Sequence, residues 1–270
     1  MKLLLLFAAL ALLLGAIWVA AGKAHPYAYW IGRTADAELQ ALATDGWRLE
    51  RLPVDGGATL VGLVRPPRDP AARWVLFVPG NSPALLAGFR PVLDSLRGDD
   101  DTGLAVWAYR GYDASTGVPT PPALLADLLQ QWQHLQGLGA RPERIEVWGY
   151  SLGSVLAAQL VAALADRGEQ PARLVLAAVA ERLALMPFGP FGRFAGSDVY
   201  DLAPALPKLR CPTTIVHGAV DQAVPVEGAR RVAAALGERA TLHELPGCGH
   251  FDLWPAARTA AWSPAAATGR

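Results

Sequence analysis

The sequence predicts an α/β protein with a mostly parallel, doubly wound sheet and helices on both of its faces. Three observations lead to this prediction. Continuous apolar runs, such as Trp74–Val78 and residues 174–180, are typical of strands that are buried on both faces. From Trp74 onward, these runs alternate with segments whose apolar residues recur at helical spacing. A hairpin turn signal at Asp55–Gly57 comes before them, so the sheet should begin with an antiparallel pair.

The expected elements follow in order along the chain. Strands are expected at 47–54, 59–64, 74–78, 104–109, 144–148, 174–180, 213–217 and 241–245. Helices are expected at 35–43, 83–96, 122–138, 155–165, 226–236 and 251–262. The proline-rich stretch 65–70 lacks the N–H groups that strand pairing needs and marks a loop. Because ligands of such sheets bind at the carboxyl ends of the strands, the loops that follow the strands should carry the chemistry.

Composition excludes several classes of protein. The 270 residues are enough for one α/β domain, and 24 basic residues balance 24 acidic ones. No basic patch is present, so nucleic acid is not an expected partner. The five histidines are scattered and there are only two cysteines, so no metal-ligand spacing occurs. Neither a metal nor another cofactor is predicted.

The N-terminus is apolar from residue 3 to residue 22, between Lys2 and Lys23. This run is long enough to span a bilayer and longer than the apolar part of a usual signal peptide. A membrane anchor is therefore favoured, although residues 19–21 also offer a cleavage site for a signal peptide. A soluble cytoplasmic helix is the least favoured interpretation. The folded domain is expected outside the cytoplasm, on the periplasmic or extracellular side.

These observations divide the chain into an N-terminal segment, a linker, one folded domain with a short insert, and a tail. The expected ranges are 1–22 for the anchor or signal peptide, 23–46 for the linker, 47–262 for the domain, 181–210 for its insert and 263–270 for the tail.

A serine turn is the main chemical signal. Ser151 stands between Gly149 and Gly153, after an apolar run and before a helical pattern. A sharp strand-to-helix turn exposes a serine side chain at the edge of the sheet, and the glycines let strand and helix pass closely. The pattern predicts a nucleophile at Ser151 if an acid and a base follow downstream. An ordinary glycine-bounded turn is the alternative.

Asp221 and His250 each follow a predicted strand, in the order that this turn requires. His250 would be the general base that takes the serine proton and returns it to the leaving group. Asp221 would orient the imidazole, and Glu181 is the alternative acid. Asp221 could instead be a turn residue, and His250 could cap the next helix. His217 also ends a strand, and a packed turn histidine is favoured there.

An oxyanion needs two N–H donors. Leu152, the residue after the nucleophile, should supply one of them. The other should come from the loop after the strand Trp74–Val78, where Gly80 permits a close turn. The Asn81 N–H is favoured and Ser82 is next, although Ser82 could at the same time cap the following helix.

Four motifs together resemble those of the alpha/beta-hydrolase superfamily, over about residues 47–262. They are Pro79-Gly80-Asn81, Tyr109-Arg110-Gly111-Tyr112 with Ser115, Gly117 and Pro119, the turn 149–153, and His217-Gly218 with Asp221, Gly249 and His250. The branch that they resemble has His-Gly-Asn at the oxyanion turn, and its members are often membrane-anchored serine hydrolases of acyl esters or thioesters. Here Pro79 replaces the histidine and Asp113 replaces a glycine, and neither change removes a catalytic group.

The resemblance implies that the insert 181–210 is a small lid. Its apolar side chains are Leu183, Leu185, Met186, Phe188, Phe191 and Phe194. They could form an acyl-chain pocket, face lipid, or only pack on the sheet. The whole pattern predicts a serine hydrolase that cleaves small or lipid-like acyl esters or thioesters through an acyl-enzyme. A peptidase or amidase that uses the same residues is the alternative, and so is a non-catalytic binding protein of this fold.

Overall fold

The computed structural model describes residues 7, 10, 13, 14, 29–97, 101–185 and 198–253. The rest of the predicted anchor, most of the predicted last helix and the predicted tail lie outside these residues. Over the described ranges, no helix combines the length and the apolar character that crossing a membrane requires.

The described strands lie close to the predicted ones. They are β1 (Arg48–Val54), β2 (Ala58–Arg65), β3 (Trp74–Val78), β4 (Gly103–Trp107), β5 (Ile145–Tyr150), β6 (Arg173–Ala177), β7 (Arg182–Leu185), β8 (Asp198–Asp201), β9 (Thr213–Gly218) and β10 (Ala240–Leu245). The α-helices that have described bounds are α1 (Asp36–Ala41), α2 (Leu85–Arg97), α3 (Pro121–Gly137), α4 (Leu152–Ala165) and α5 (Val226–Leu236).

Eight of these strands form one sheet in the order β1-β2-β4-β3-β5-β6-β9-β10. β1 and β2 form an antiparallel hairpin, and β2 pairs antiparallel with β4. The remaining neighbours are all parallel. The predicted fold class, a mostly parallel sheet with an antiparallel start, is therefore confirmed. Because the sheet is parallel, the loops after β3, β5, β9 and β10 open at one edge.

Two local predictions differ from the structure. The helix after the serine turn was expected from residue 155, but α4 begins at Leu152, directly after Ser151. No strand or helix was expected in the insert 181–210, yet its described ends form an antiparallel ribbon, β7 with β8. Leu183 pairs with Tyr200 in this ribbon, and Tyr200 is fully buried. Contacts with the rest of the domain therefore give the insert a regular structure that its glycines and prolines do not reveal.

The strands β3 and β5 and the helix α4 pack closely against one another. Strands β3 and β5 are buried along their whole length, as is nearly all of α4. A Cβ atom added at Gly153 would lie 2.0 Å from the Val78 carbonyl oxygen. One added at Gly149 would lie 2.3 Å from the Gly153 carbonyl oxygen. Both glycines are thus required by close approach of the backbone, as the sequence predicted.

We expect Gly153→Ala to lower the free energy of unfolding by about 1–3 kcal/mol or more, because its methyl group can be accommodated only if β3 and α4 move apart. Gly137→Ala is the matched control, since an added Cβ there meets nothing within 4 Å. The control should lie within about 1 kcal/mol of the wild type. Urea titrations measure both values, and equal stabilities of the two variants would contradict this account of the packing.

Candidate active site

Ser151 lies at the apex of the turn between β5 and α4, with a positive φ of 53°. A non-glycine residue in this region is strained and persists only where the surroundings hold it. Here the Ser151 N–H donates to the Ala177 carbonyl oxygen at 2.9 Å. The Ser151 carbonyl oxygen accepts from the N–H and the hydroxyl of Ser154, at 2.9 and 2.6 Å. These bonds hold the strained turn and leave the Ser151 side chain free to project from it.

The structure brings Ser151, His250 and Asp221 into one hydrogen-bonded line. His250 Nε2 lies 3.1 Å from Ser151 Oγ, and His250 Nδ1 lies 2.7 Å from Asp221 Oδ2. The side chains of His250 and Asp221 are 8% and 0% exposed. A nucleophile, a base within hydrogen-bond reach and a carboxylate that orients the base are the parts that activated serines require. This geometry agrees with the three predicted roles.

Asp221 also organises its own turn. Its Oδ1 accepts from the N–H groups of Ala223 and Val224, at 2.9 and 2.8 Å. The two carboxylate oxygens of Asp221 therefore have different roles, since Oδ1 fixes the turn and Oδ2 is hydrogen-bonded to His250. Glu181, the alternative acid, accepts instead from Arg231 Nε at 2.7 Å in an exposed ion pair.

His217 is fully buried next to this site. Its Nε2–H donates to the Val224 carbonyl oxygen at 2.8 Å, and the same nitrogen lies 3.6 Å from Asp221 Oδ2. Its Nδ1 is buried and has no hydrogen-bond partner. Burial lowers the pKa of His217, which favours the neutral ring. His217 is thus a packed turn histidine, as expected, and it supports the turn that carries Asp221.

The predicted oxyanion turn lies directly against Ser151. A Cβ added at Gly80 would be 3.4 Å from Ser151 Cβ and 2.9 Å from the Tyr150 ring. Leu152 begins α4, so its N–H is one of the first N–H groups of that helix, which have no partner within it. The N–H groups of Leu152 and Asn81 remain the predicted donors. The Asn81 side chain points to other partners, since its Oδ1 accepts from the Trp30 N–H at 2.8 Å.

Two tyrosines that sequence reasoning gave no role hold the loops of the site. The Tyr150 hydroxyl donates to the His250 carbonyl oxygen at 2.8 Å, and the two rings lie 5.2 Å apart. Burial raises the pKa of Tyr150, so it remains a neutral donor. The Tyr109 hydroxyl donates to the Pro79 carbonyl oxygen. Tyr109 belongs to the Tyr-Arg-Gly-Tyr motif, but neither spacing nor periodicity indicates what its hydroxyl binds.

An open cavity of about 600 Å³ lies beside His250. Val220 and Phe251 line it, and these two residues are 56% and 78% exposed. The Phe251 ring packs edge-on against the His250 ring, with 5.1 Å between centroids. Among the residues that the structure describes, no group of three or more His, Cys, Asp or Glu side chains could hold a metal ion.

Several curated proteins resemble part of this chain in sequence. No protein-family model matches the chain. An uncharacterised protein of Mycobacterium tuberculosis is 31% identical over 158 residues, which cover 56% of this chain and 54% of that protein. The lysophosphatidylserine lipase ABHD12 of Danio rerio is 27% identical over 171 residues, or 57% of this chain and 44% of the lipase. The chain thus spans about half the length of the curated relatives it matches.

Solved structures resemble this one over a larger share of the chain. An alpha-beta hydrolase from Vibrio vulnificus superposes with a TM-score of 0.68 at 16% identity, over 91% of this chain and 89% of that one. Est1E of Butyrivibrio proteoclasticus, solved with ferulic acid bound, gives a TM-score of 0.62 at 16% identity, over 79% of this chain and 96% of that one. The chain has the alpha/beta-hydrolase fold. Together with the curated relatives, this confirms the resemblance to the alpha/beta-hydrolase superfamily that the motifs predicted.

The buried His217 should make folding stability depend on pH. Because burial lowers its pKa in the folded state, the unfolded chain binds a proton below about pH 6.5 that the folded chain does not. The free energy of unfolding should therefore fall as the pH drops from about 7 towards 5, by up to about 1.4 kcal/mol per pH unit from this group. Denaturant titrations at a series of pH values measure the slope. His217→Asn removes the titrating ring and should flatten it, whereas equal slopes in the two proteins would contradict the assignment.

Proposed function

We propose that the chain is a serine hydrolase that cleaves carboxylic esters or thioesters. The observation that carries this proposal is the hydrogen-bonded line from Ser151 through His250 to Asp221. The curated relative named as a lipase supports hydrolysis as the class of reaction.

The proposed reaction follows from this geometry. Ser151 Oγ attacks the carbonyl carbon while His250 Nε2 takes its proton. Asp221 stabilises the imidazolium that forms. The tetrahedral oxyanion is stabilised by the N–H groups of Leu152 and Asn81. His250 then returns the proton to the leaving alcohol or thiol, and an acyl-enzyme remains at Ser151. Water, activated by the same histidine, attacks the acyl-enzyme and releases the acid.

The substrate that fits this site best is a small or lipid-like acyl compound. The exposed Val220 and Phe251 present apolar surface beside the proposed base. The insert 181–210 is too short for a large cap that would read a long polymer. No cofactor is needed, because the chain itself supplies the nucleophile, the base and the carboxylate.

We also propose that segment 1–22 attaches the chain to a membrane and that the folded domain lies on the periplasmic or extracellular side. The apolar run from residue 3 to residue 22 supports this. Its described members, Phe7, Leu10, Leu13 and Leu14, are each at least half exposed. Alkaline carbonate extraction of membranes tests the attachment. Recovery of the full-length chain in the soluble fraction would contradict it.

Ser151→Ala should abolish labelling by a fluorophosphonate probe and lower the hydrolysis rate of an activated ester by about 10⁴-fold or more. Ser95→Ala is the matched control, because the Ser95 hydroxyl only donates to the Val92 carbonyl oxygen on α2. It should label like the wild type. Asp221→Asn should lower kcat by about 10³–10⁴-fold. The N–H groups of Ala223 and Val224 hold the amide oxygen, so the NH2 group would face His250 Nδ1 and the imidazolium would lose its carboxylate. Glu181→Gln should change kcat by less than about twofold. A folded wild type that is neither labelled nor active would instead support a non-catalytic binding protein.

The same three residues could also catalyse the hydrolysis of amides. Esters and amides must therefore be compared as substrates. We expect p-nitrophenyl esters to be cleaved with a kcat/KM at least about 100-fold above that of aminoacyl anilides, because the surface of the cavity beside His250 is mostly apolar and favours an acyl chain over a peptide backbone. The activity should rise with acyl chain length before it falls. Higher activity on the anilides would favour the peptidase or amidase alternative.

A further inference from the structure

A short segment, residues 29–34, lies across the loops of the active site. We call it the strap. It follows the apolar N-terminal run and precedes α1. Tyr29 is almost completely buried although it lies close to the beginning of the described domain. Nothing in the sequence predicted this contact, because 23–46 was expected to be a linker.

The strap contacts the oxyanion turn through its backbone. The Trp30 N–H donates to Asn81 Oδ1 at 2.8 Å, and the Tyr112 hydroxyl donates to the same oxygen. Gly32 lies so close that an added Cβ would be 1.8 Å from the Pro83 carbonyl oxygen. The turn that carries Asn81 is therefore fixed by the strap from one side. Tyr112 belongs to the loop after β4 and fixes the turn from there.

Asp113, in the loop after β4, connects the strap to α2. Its N–H donates to the Gly32 carbonyl oxygen at 2.8 Å, and its Oδ1 accepts from the Thr34 hydroxyl at 2.6 Å. Its Oδ2 accepts from the Leu86 N–H at 3.1 Å, at the beginning of α2. Asp113 is fully buried and has a φ of 48°. These bonds explain an aspartate in a conformation that favours glycine, at a position where the resemblance leads one to expect glycine.

Two further contacts extend the strap. Arg33 Nη1 donates to the Ser115 and Gly111 carbonyl oxygens, at 2.9 and 3.2 Å. The hydroxyl of Tyr29 is hydrogen-bonded to that of Tyr200, which lies in the β7–β8 ribbon of the insert. The strap is thus bonded to the oxyanion turn, to the loop after β4 and to the base of the insert.

We propose that the strap is a positioning element of the active site, which holds the Asn81 backbone N–H where the oxyanion forms. The inference rests on the proposed function, since an oxyanion turn matters only if Ser151 attacks a carbonyl. It follows that residues 29–34 of the predicted linker contribute to the geometry of the proposed active site.

The test removes one N–H group from the full-length chain in detergent. Trp30→Pro deletes the donor to Asn81, and Trp30→Ala keeps it. Proline fits this position, because the bond from the Ile31 N–H to the Tyr29 carbonyl oxygen forms a γ-turn about Trp30, whose φ is not positive. We expect Trp30→Pro to lower kcat on a short p-nitrophenyl ester by about 10–100-fold with KM within about twofold, since a misplaced donor acts on the transition state. Trp30→Ala should stay within about threefold of the wild type.

A second pair of variants applies if Trp30→Pro does not fold. Asp113→Gly suits the positive φ but deletes both carboxylate contacts, whereas Asp113→Asn keeps an acceptor. We expect Asp113→Gly to lower kcat by about tenfold and Asp113→Asn to restore most of it. Thermal unfolding shows which variants are folded. Equal kcat values within either folded pair, or a loss that appears only in KM, would overturn the inference. A wild type without esterase activity would overturn the proposed function instead.

Discussion

The close approach of β3, β5 and α4 is the constraint on which the rest of the site depends. Gly149 and Gly153 let the backbone of α4 contact both strands, and this contact forces the connecting residue into a positive φ. Ser151 is therefore held away from the sheet, at the edge where the parallel strands end. The strain of about 1–3 kcal/mol that such a conformation stores is offset by the bond that the Ser151 N–H donates to Ala177 and by the bonds that Ser154 donates to the Ser151 carbonyl oxygen. Rigid packing thus holds the Ser151 hydroxyl in a fixed direction.

His250 and Asp221, the proposed base and its carboxylate, are held by a second close approach, between the end of β9 and the loop after β10. An added Cβ at Gly218 would lie 2.3 Å from the Cys248 carbonyl oxygen, and the Val220 N–H donates to that same oxygen at 3.1 Å. Parallel pairing of the two strands brings Asp221 and His250 to the same edge. The Tyr150 hydroxyl then links the histidine loop to the serine turn. Each functional side chain is thus positioned by backbone contacts of its loop as well as by its partner.

The predicted oxyanion turn is held in a different way. Side chains and the strap, which is distant from the turn in sequence, fix its position. Asn81 is fixed through its side-chain oxygen by Trp30 and Tyr112. Asp113 connects the same region to α2 and to the strap. A buried carboxylate is tolerated there because each of its oxygens accepts a hydrogen bond, and desolvation raises its pKa. Asp113 stands where the resemblance predicts glycine, and its hydrogen bonds help to hold the strap in place.

The sequence by itself determined the order of the main strands and helices and the antiparallel hairpin at the start of the sheet. It also singled out Ser151, Asp221 and His250. It could do so because burial imposes apolar periodicity and because Ser151, Asp221 and His250 each follow a strand. It also predicted the close approach at Gly149 and Gly153. Only the tertiary structure decided that Asp221, and not Glu181, meets His250, since both acids follow strands of the same sheet. The strap, the role of Asp113 and the ribbon in the insert also required the tertiary structure. They depend on contacts between residues far apart in the chain, and such contacts leave no periodic pattern in a single sequence.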